Sequence, residues 1–189
     1  MSIFNQLKNQ AQAAAKSAVR NIGNQRETFS FVALPESVDA LRALPEAAMD
    51  TPFKTAALTV CALCAFAADQ NIGTDMLNFL RGPRPLTGQD ISFIKDRFRG
   101  GARNYIIFSY FGGAKPENDY TPSRPYTVTV TSDAHSFDEQ GYARLYIACG
   151  GADSPRPVKL RKKGDGQWCL WEQYLLTDIR QPKANDPWA

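Results

Sequence analysis

Histidine is almost absent from this sequence of 189 residues, because His135 is the only one. Any Ser-His-Asp or Cys-His mechanism would therefore have to use that residue. The sequence also lacks the G-x-S-x-G and H-E-x-x-H motifs and the G-x-x-x-x-G-K-[ST] phosphate loop. His135 lies in the polar stretch TSDAHSFDEQG, whose acidic residues match no calcium-loop spacing. It is a weak catalytic candidate, and these absences favour a binding protein over an enzyme.

Long hydrophobic runs and a strong net charge are missing as well. The longest apolar run covers residues 56–68, which is too short to cross a bilayer. The first 25 residues lack the continuous apolar core of a secretion signal. A net charge of +3 is too small to imply a polyanionic partner by itself. The hydrophobic fraction of 43% is enough for a buried core, so we expect a globular protein.

Cysteine is scarce, and the four cysteines lie in apolar segments instead of loops. We interpret them as reduced, buried thiols of a cytoplasmic protein. Cys61 and Cys64 have the spacing of a C-x-x-C motif, but they lie well inside an apolar helix, where the dipole does not activate a thiol. No second close Cys/His pair exists to complete a zinc site. The sequence therefore predicts no metal site and no cofactor.

Acidic residues are absent before Glu27, whereas residues 1–23 carry several cations. The pattern of this segment predicts an amphipathic helix, because its apolar residues recur at spacings of three and four. These residues are Phe4, Leu7, Ala11, Ala14, Ala18 and Ile22. We expect the helix to dock on the domain, on a second copy or on a protein partner. A membrane-surface helix is disfavoured because the apolar face is mostly alanine, and a cleaved targeting segment is a further alternative.

The first half of the remaining chain is mostly helical in its pattern. The alternation over residues 27–34 predicts a strand or an extended lead-in packed on one side, whereas residues 37–44 predict a short helix. Residues 55–70 are apolar on every face, so we expect a helix buried at the centre of the core. Asn71-Ile72-Gly73 is expected to end it, with Thr74 capping a short helix that runs to Leu80.

After residue 86, the pattern predicts one more helix and then several strands. Thr87 and Asp90 have the spacing of a capping box and predict a helix with Ile91, Ile94 and Phe98 on one face. Strands are then expected over residues 105–111, 126–131 and 143–149, with a hairpin over 158–172. Helices followed by a strand meander predict an α+β domain, with N-terminal helices packed on one face of a C-terminal antiparallel meander sheet. The domain is expected over residues 25–180, between an arm over 1–24 and a tail over 181–189.

The hairpin carries the candidate binding residues. With Gly164-Asp165-Gly166 as its loop, Lys163 faces Gln167, Leu160 faces Leu170 and Lys159 faces Trp171. Val158, Leu160, Trp168 and Leu170 then point inward, whereas the outward side holds Lys159, Arg161, Lys163, Cys169 and Trp171. Cations beside a tryptophan are typical of single-stranded nucleic-acid sites, but lysines also protect an outer strand from aggregation. We take Trp171, Lys159, Arg161, Tyr110 and Tyr126 as candidate ligand or partner contacts.

The stretch KLRKKGDGQWCLWE and the ending IRQPKANDPWA resemble an uncharacterised bacterial domain family of unknown function. This resemblance implies a bacterial cytosolic protein and supplies no catalytic residues. Helices before a meander whose last hairpin has this pattern are similar, at the level of fold, to nuclear transport factor 2-like or cystatin-like domains. Such folds host both enzymes and binding modules.

The interpretation that best fits these observations is a non-catalytic binding or assembly module for a protein partner or a small ligand. One alternative is a small-molecule enzyme with a pocket between sheet and helices, in which His135 or an aspartate acts as base. Another is a weak nucleic-acid binder through the basic hairpin. Nucleic acid is disfavoured because Asp165, Glu172 and Asp178 dilute the positive charge.

Overall fold

The computed structural model describes residues 24–185, which contain one five-stranded antiparallel sheet. Its strands follow each other in space as they do in sequence, so the sheet is a meander. They are β1 Arg26–Phe31, β2 Tyr126–Thr131, β3 Tyr142–Ile147, β4 Arg156–Lys162 and β5 Trp168–Gln173. The predicted antiparallel meander is confirmed. The predicted arm over residues 1–24 lies outside the described residues except for Asn24, and so do the last four residues of the tail.

Between β1 and β2, the described part of the chain forms five α-helices. They are α1 Val38–Arg42, α2 Pro52–Ala68, α3 Gln70–Arg81, α4 Gly88–Phe98 and α5 Tyr105–Phe108. Helix α2 contacts every strand and is buried along almost its whole length, as its all-apolar sequence predicts. It begins earlier than residue 55, because Thr51 caps it and Pro52 is compatible with a first helical position. The α+β fold with helices on one face of the sheet is confirmed.

The boundary between α2 and α3 differs from the prediction. Asp69, not Thr74, caps α3, since its Oδ1 accepts hydrogen bonds from the backbone N–H groups of Asn71 at 2.8 Å and Ile72 at 3.1 Å. Thr74 lies inside the helix and donates its hydroxyl to the carbonyl of Gln70. Gly73 is likewise helical instead of a helix end. A Cβ there would collide with the backbone of Phe66 in α2, so this glycine lets the two helices touch.

The predicted capping box at the start of α4 is confirmed. The Thr87 hydroxyl accepts from the N–H of Asp90 at 3.2 Å, and the Asp90 carboxylate accepts from the N–H of Thr87 at 2.8 Å. Ile94 and Phe98 of this helix are buried, as expected from their shared face.

The strand predicted over residues 105–111 is wrong. Residues 105–108 form α5, and Phe111 alone makes an isolated bridge with Val128. Ile106, Ile107 and Tyr110 are all buried, a spacing that a helical turn provides and an alternating strand does not. Burial of three large side chains on one side therefore overrides the β-propensity of this stretch.

Candidate functional site

The β4–β5 hairpin has the predicted strand pairing near its loop, but the register differs from the prediction at one place farther along. Lys163 faces Gln167, whose carbonyl accepts from the Lys163 N–H at 2.7 Å, and Leu160 pairs with Leu170, as predicted. Lys159 does not face Trp171, because the register shifts between Lys159 and Leu160 and Lys159 pairs with Glu172. A bulge of this kind leaves a residue without a direct partner and redirects its side chain. Here that residue is Trp171.

Five side chains form a cluster on the sheet face opposite the helices. We call Arg84, Tyr142, Lys159, Arg161 and Trp171 the cation–aromatic cluster. The Tyr142 and Trp171 rings meet edge to face with centroids 5.7 Å apart. The guanidinium carbons of Arg84 and Arg161 lie 4.3 Å and 4.8 Å from the Trp171 centroid. The ammonium of Lys159 lies 4.5 Å from the Tyr142 centroid. The structure therefore brings together three of the five predicted binding residues.

Beside this cluster, the loop after α3 and the hairpin enclose a cleft of about 430 Å³, which we call the basic cleft. Two of its cations, Arg84 and Arg161, belong to the cation–aromatic cluster. The other three are Arg81 from α3 and Lys162 and Lys163 from the hairpin. No aspartate or glutamate among residues 24–185 lines it. The lining residues are Arg81, Pro83, Arg84, Arg161, Lys162, Lys163, Gly164, Cys169, Leu170 and Trp171.

The cations of the basic cleft differ in how far their charge is compensated. Lys163 is paired with Asp165, 2.7 Å away, and this hydrogen bond raises the pKa of Lys163. In contrast, Arg81, Arg84, Arg161 and Lys162 form no ion pair with any carboxylate in the part of the chain that the structure describes. Four positive charges thus surround the cleft without a direct counter-charge.

Arg81 is the most buried of these cations, with 9% of its surface exposed. Its Nε donates to the carbonyl of Arg84 at 2.9 Å and its Nη1 to the carbonyl of Trp171 at 3.3 Å. Burial lowers its pKa, and the neighbouring carboxylate of Asp90 opposes that shift. These two hydrogen bonds fix the loop after α3 against β5 and hold Arg84 beside Trp171.

Two further residues of the hairpin have contacts that the sequence does not indicate. Cys169 points away from Leu170 and is buried, both as predicted, and its cover is Gly82 of the loop after α3, which lies directly over its sulfur. Lys159 is partly neutralised by Glu139, whose carboxylate lies 2.7 Å from the lysine Nζ and raises the pKa of Lys159. Lys159 therefore contributes less free charge than the arginines do.

Tyr110 and Tyr126 lie elsewhere. Tyr110 is buried in the core and donates its hydroxyl to the carbonyl of Leu175 at 2.6 Å. Burial raises its pKa well above the usual value for tyrosine. Tyr126 is half-buried, and the guanidinium carbon of Arg124 lies 4.0 Å from its ring centroid.

Tyr126 belongs to a second concavity of about 550 Å³, which we call the apolar groove. It lies beyond the end of β1, between the C-terminal part of α2, the start of α3 and Phe108. Its walls are mostly aliphatic and aromatic. The lining residues are Ala33, Leu34, Pro35, Glu36, Cys64, Ala65, Ala68, Asp69, Ile72, Phe108, Arg124 and Tyr126.

His135 lies in the loop between β2 and β3, with 83% of its side chain exposed. Its Nδ1 is 2.8 Å from the Asp138 carboxylate, which raises the pKa of the imidazole. It borders a shallow polar depression of about 260 Å³ together with Tyr142, Arg144 and Tyr174.

Among residues 24–185, no group of three or more His, Cys, Asp or Glu side chains converges as a metal site would require. Cys61 and Cys64 are buried in α2, and burial raises the pKa of both thiols. Over the same residues, no helix combines the length and the apolar character needed to cross a membrane.

The comparisons with known proteins give one result. Residues 33–183 match the model of a family described as Domain of unknown function (DUF6935). The matched range includes the hairpin and excludes the Asp-Pro-Trp ending. No curated protein and no solved structure matches the chain significantly. The resemblance to a family of unknown function is confirmed, whereas the similarity to nuclear transport factor 2-like or cystatin-like domains stays a prediction.

Proposed function

We propose that this chain, which belongs to the DUF6935 family, is a non-catalytic binding module that holds an anionic ligand in the basic cleft. One observation carries the proposal. Arg81, Arg84, Arg161 and Lys162 line a cleft to which residues 24–185 contribute no carboxylate, and none of the four has an ion-pair partner within these residues. The volume of about 430 Å³ lies within the range of small-molecule sites.

Like charges at short range repel each other, and a low-dielectric wall strengthens that repulsion. The carboxylate of Asp90 offsets the charges of Arg81 and Arg84 only in part, because it forms no ion pair with either. An anion entering the cleft would relieve the repulsion. Arginine is well suited to this task because its planar guanidinium binds phosphate or carboxylate groups through two parallel hydrogen bonds. Three of the four unpaired cations are arginines.

The aromatic rings support the same function in a different way. Each cation–aromatic contact contributes about 0.5–1 kcal/mol at an exposed site. Arg84 and Arg161 are both held by Trp171, so they lose less side-chain freedom when a ligand binds. The aromatic surface therefore positions the cations and leaves their N–H groups available for an anion.

A single-stranded nucleic acid is the second candidate ligand. The observation in its favour is that the cations stand beside Tyr142 and Trp171 on the sheet face opposite the helices. Backbone phosphates would bind the cations while bases stack on aromatic or guanidinium planes. The cleft extends over only one hairpin and one loop, which suits a compact anion better than a long strand.

The test is calorimetric titration of the full chain with pyrophosphate and, separately, with a twelve-residue oligothymidylate at two salt concentrations. The variant is Arg84→Gln combined with Arg161→Gln. The matched control is Arg144→Gln, which removes one positive charge from an exposed position of β3 outside the basic cleft. Losing two charge-assisted hydrogen-bond donors is expected to weaken pyrophosphate binding at least about tenfold.

Binding of pyrophosphate that falls in the double variant but not in the control supports the proposal. Binding of the oligonucleotide alone, with strong salt dependence, favours the nucleic-acid candidate instead. Equal binding by all three proteins, or no binding of either probe, would overturn the assignment to this cleft.

We also propose that the module works in the bacterial cytoplasm. All four cysteines are free thiols, which is what a reducing compartment favours.

A further inference from the structure

The apolar groove is the largest of the concavities described above, and it shares no lining residue with the basic cleft. Alanine side chains form part of its floor, where Ala65 is half-buried and Ala68 is exposed. Val32, just beyond β1, is 88% exposed beside it. A groove of this kind leaves apolar surface in water, which is unfavourable unless another apolar surface covers it.

The N-terminal segment has a complementary pattern. Its predicted helix has an apolar stripe with Phe4 and Leu7 at the end far from β1, alanines in the middle and Ile22 next to Gly23. Residues 1–23 contain Lys8, Lys16 and Arg20 but no acidic residue. The rim of the groove carries two carboxylates, on Glu36 and Asp69, against one cation on Arg124. The charges of the two surfaces are therefore complementary.

The length of the predicted helix also matches the distance that the chain covers along β1. From Asn24 to Ala33 the chain runs along β1, which at about 3.3 Å per residue spans about 30 Å. A helix over residues 1–22 would be about 33 Å long. If it turns back at Gly23 and runs alongside the edge strand β1, Phe4 and Leu7 arrive at the groove.

We propose that residues 1–23 fold back along β1 and dock Phe4 and Leu7 into the apolar groove of their own chain. The alanines of the stripe allow the helix to approach the sheet edge closely, and the two large side chains fill the cavity. Docking within one chain is favoured over docking on a second copy, since a short tether gives the segment a millimolar effective concentration. The segment thereby covers both the groove and the free edge of β1.

The test is photo-crosslinking of the full chain with p-benzoylphenylalanine in place of Phe4. The matched control carries the same probe in place of Asn9, which lies on the opposite side of the predicted helix. An equimolar mixture of unlabelled and ¹⁵N-labelled protein distinguishes crosslinks within one chain from those between copies. The probe replaces none of the buried core side chains, so it leaves the core intact.

The expected result is a crosslink from position 4 to the peptides containing Leu34, Ala65 or Ile72, within one isotopic form. The probe at position 9 is expected to give a several-fold lower yield at these peptides. Crosslinks to other regions, mixed-isotope crosslinks, or equal yields from both positions would overturn the proposal.

A second pair of variants tests the groove itself. Ala68→Lys places a cation in the groove and is expected to lower the position-4 crosslink several-fold, because it repels the basic segment. Ala43→Lys adds the same charge at an exposed alanine that does not line the groove, and it is expected to leave the yield unchanged. Equal effects of the two substitutions would contradict docking at this place.

Discussion

Replacing Gly73 by alanine is expected to destabilise the protein although alanine is the better helix former. A Cβ built on Gly73 falls well inside 3.0 Å of the Phe66 backbone, a separation that real Cβ atoms essentially never show. Because the colliding atoms belong to the backbone of α2, no side-chain rotation relieves the clash. Helices α2 and α3 would have to move apart along their shared contact.

The expected change in the free energy of unfolding is the difference between two opposing effects. Overpacking a well-packed interior costs about 1–3 kcal/mol, and a backbone clash belongs at the upper end. Alanine returns at most about 1 kcal/mol through its helix propensity. The net loss is about 2 kcal/mol, which lowers the melting temperature of a domain of this size by about 4–8 °C.

Thermal unfolding followed by circular dichroism measures this effect. The matched control is Gly88→Ala at the start of α4, where a Cβ meets no atom within 4 Å. That substitution is expected to be neutral or to stabilise by at most about 1 kcal/mol. A Gly73→Ala variant as stable as the Gly88→Ala variant would refute the idea that this glycine is required by helix packing.

Two further predictions concern buried and exposed polar groups. Tyr110→Phe removes the donor to the buried carbonyl of Leu175 and is expected to cost about 1–3 kcal/mol, measured by urea denaturation; an unchanged midpoint would contradict this. Asp138 is expected to hold the pKa of His135 above its ordinary value of 6.5, and NMR titration of Asp138→Asn should show it falling. A raised folded-state pKa means that this contribution to stability is fully present below pH 6.5 and is lost as the pH rises through the folded-state pKa. An identical titration curve in the variant would contradict the role of Asp138.

Much of the fold could be predicted because its signals are local. The strand β2 alternates threonine with buried valine, and each residue type sits on the face that its polarity requires. The hairpin loop Gly164-Asp165-Gly166 sets the pairing of Leu160 with Leu170 within a few residues. The position of helix α2 at the centre of the core could be predicted because the helix has no polar face that could be exposed to solvent.

The missed features depend on distant parts of the chain. Gly73 is helical because of Phe66 on another helix, and local sequence shows only a residue that usually ends helices. The stretch from Tyr105 to Phe111 has the composition of a strand, but burial of its side chains selects a helical turn. The bulge at Trp171 likewise has no signature in the hairpin sequence.

The candidate site was predictable only in part, for the same reason. Arg161 and Trp171 belong to one hairpin, so strand periodicity alone places them on one face. Arg81 reaches the carbonyl of Trp171 across 90 positions of sequence and brings Arg84 with it. Strand periodicity in β3 could have added Tyr142 to the cluster, whereas nothing in the sequence of the α3 loop indicates its arginines.

The place of β1 in the sheet also determines the order in which the molecule can be assembled. Thr28 and Thr129, whose hydroxyls are 2.9 Å apart across β1 and β2, are separated by 101 positions in the sequence. Strands β3, β4 and β5 are neighbours along the chain and can pair soon after synthesis, because closing short loops is fast. Strand β1 must therefore wait until helices α1 to α5 and strand β2 have been synthesised before it finds its partner. During that interval the sheet does not yet cover the apolar surface of the helices. This is the stage at which we expect the newly made protein to depend most on chaperones.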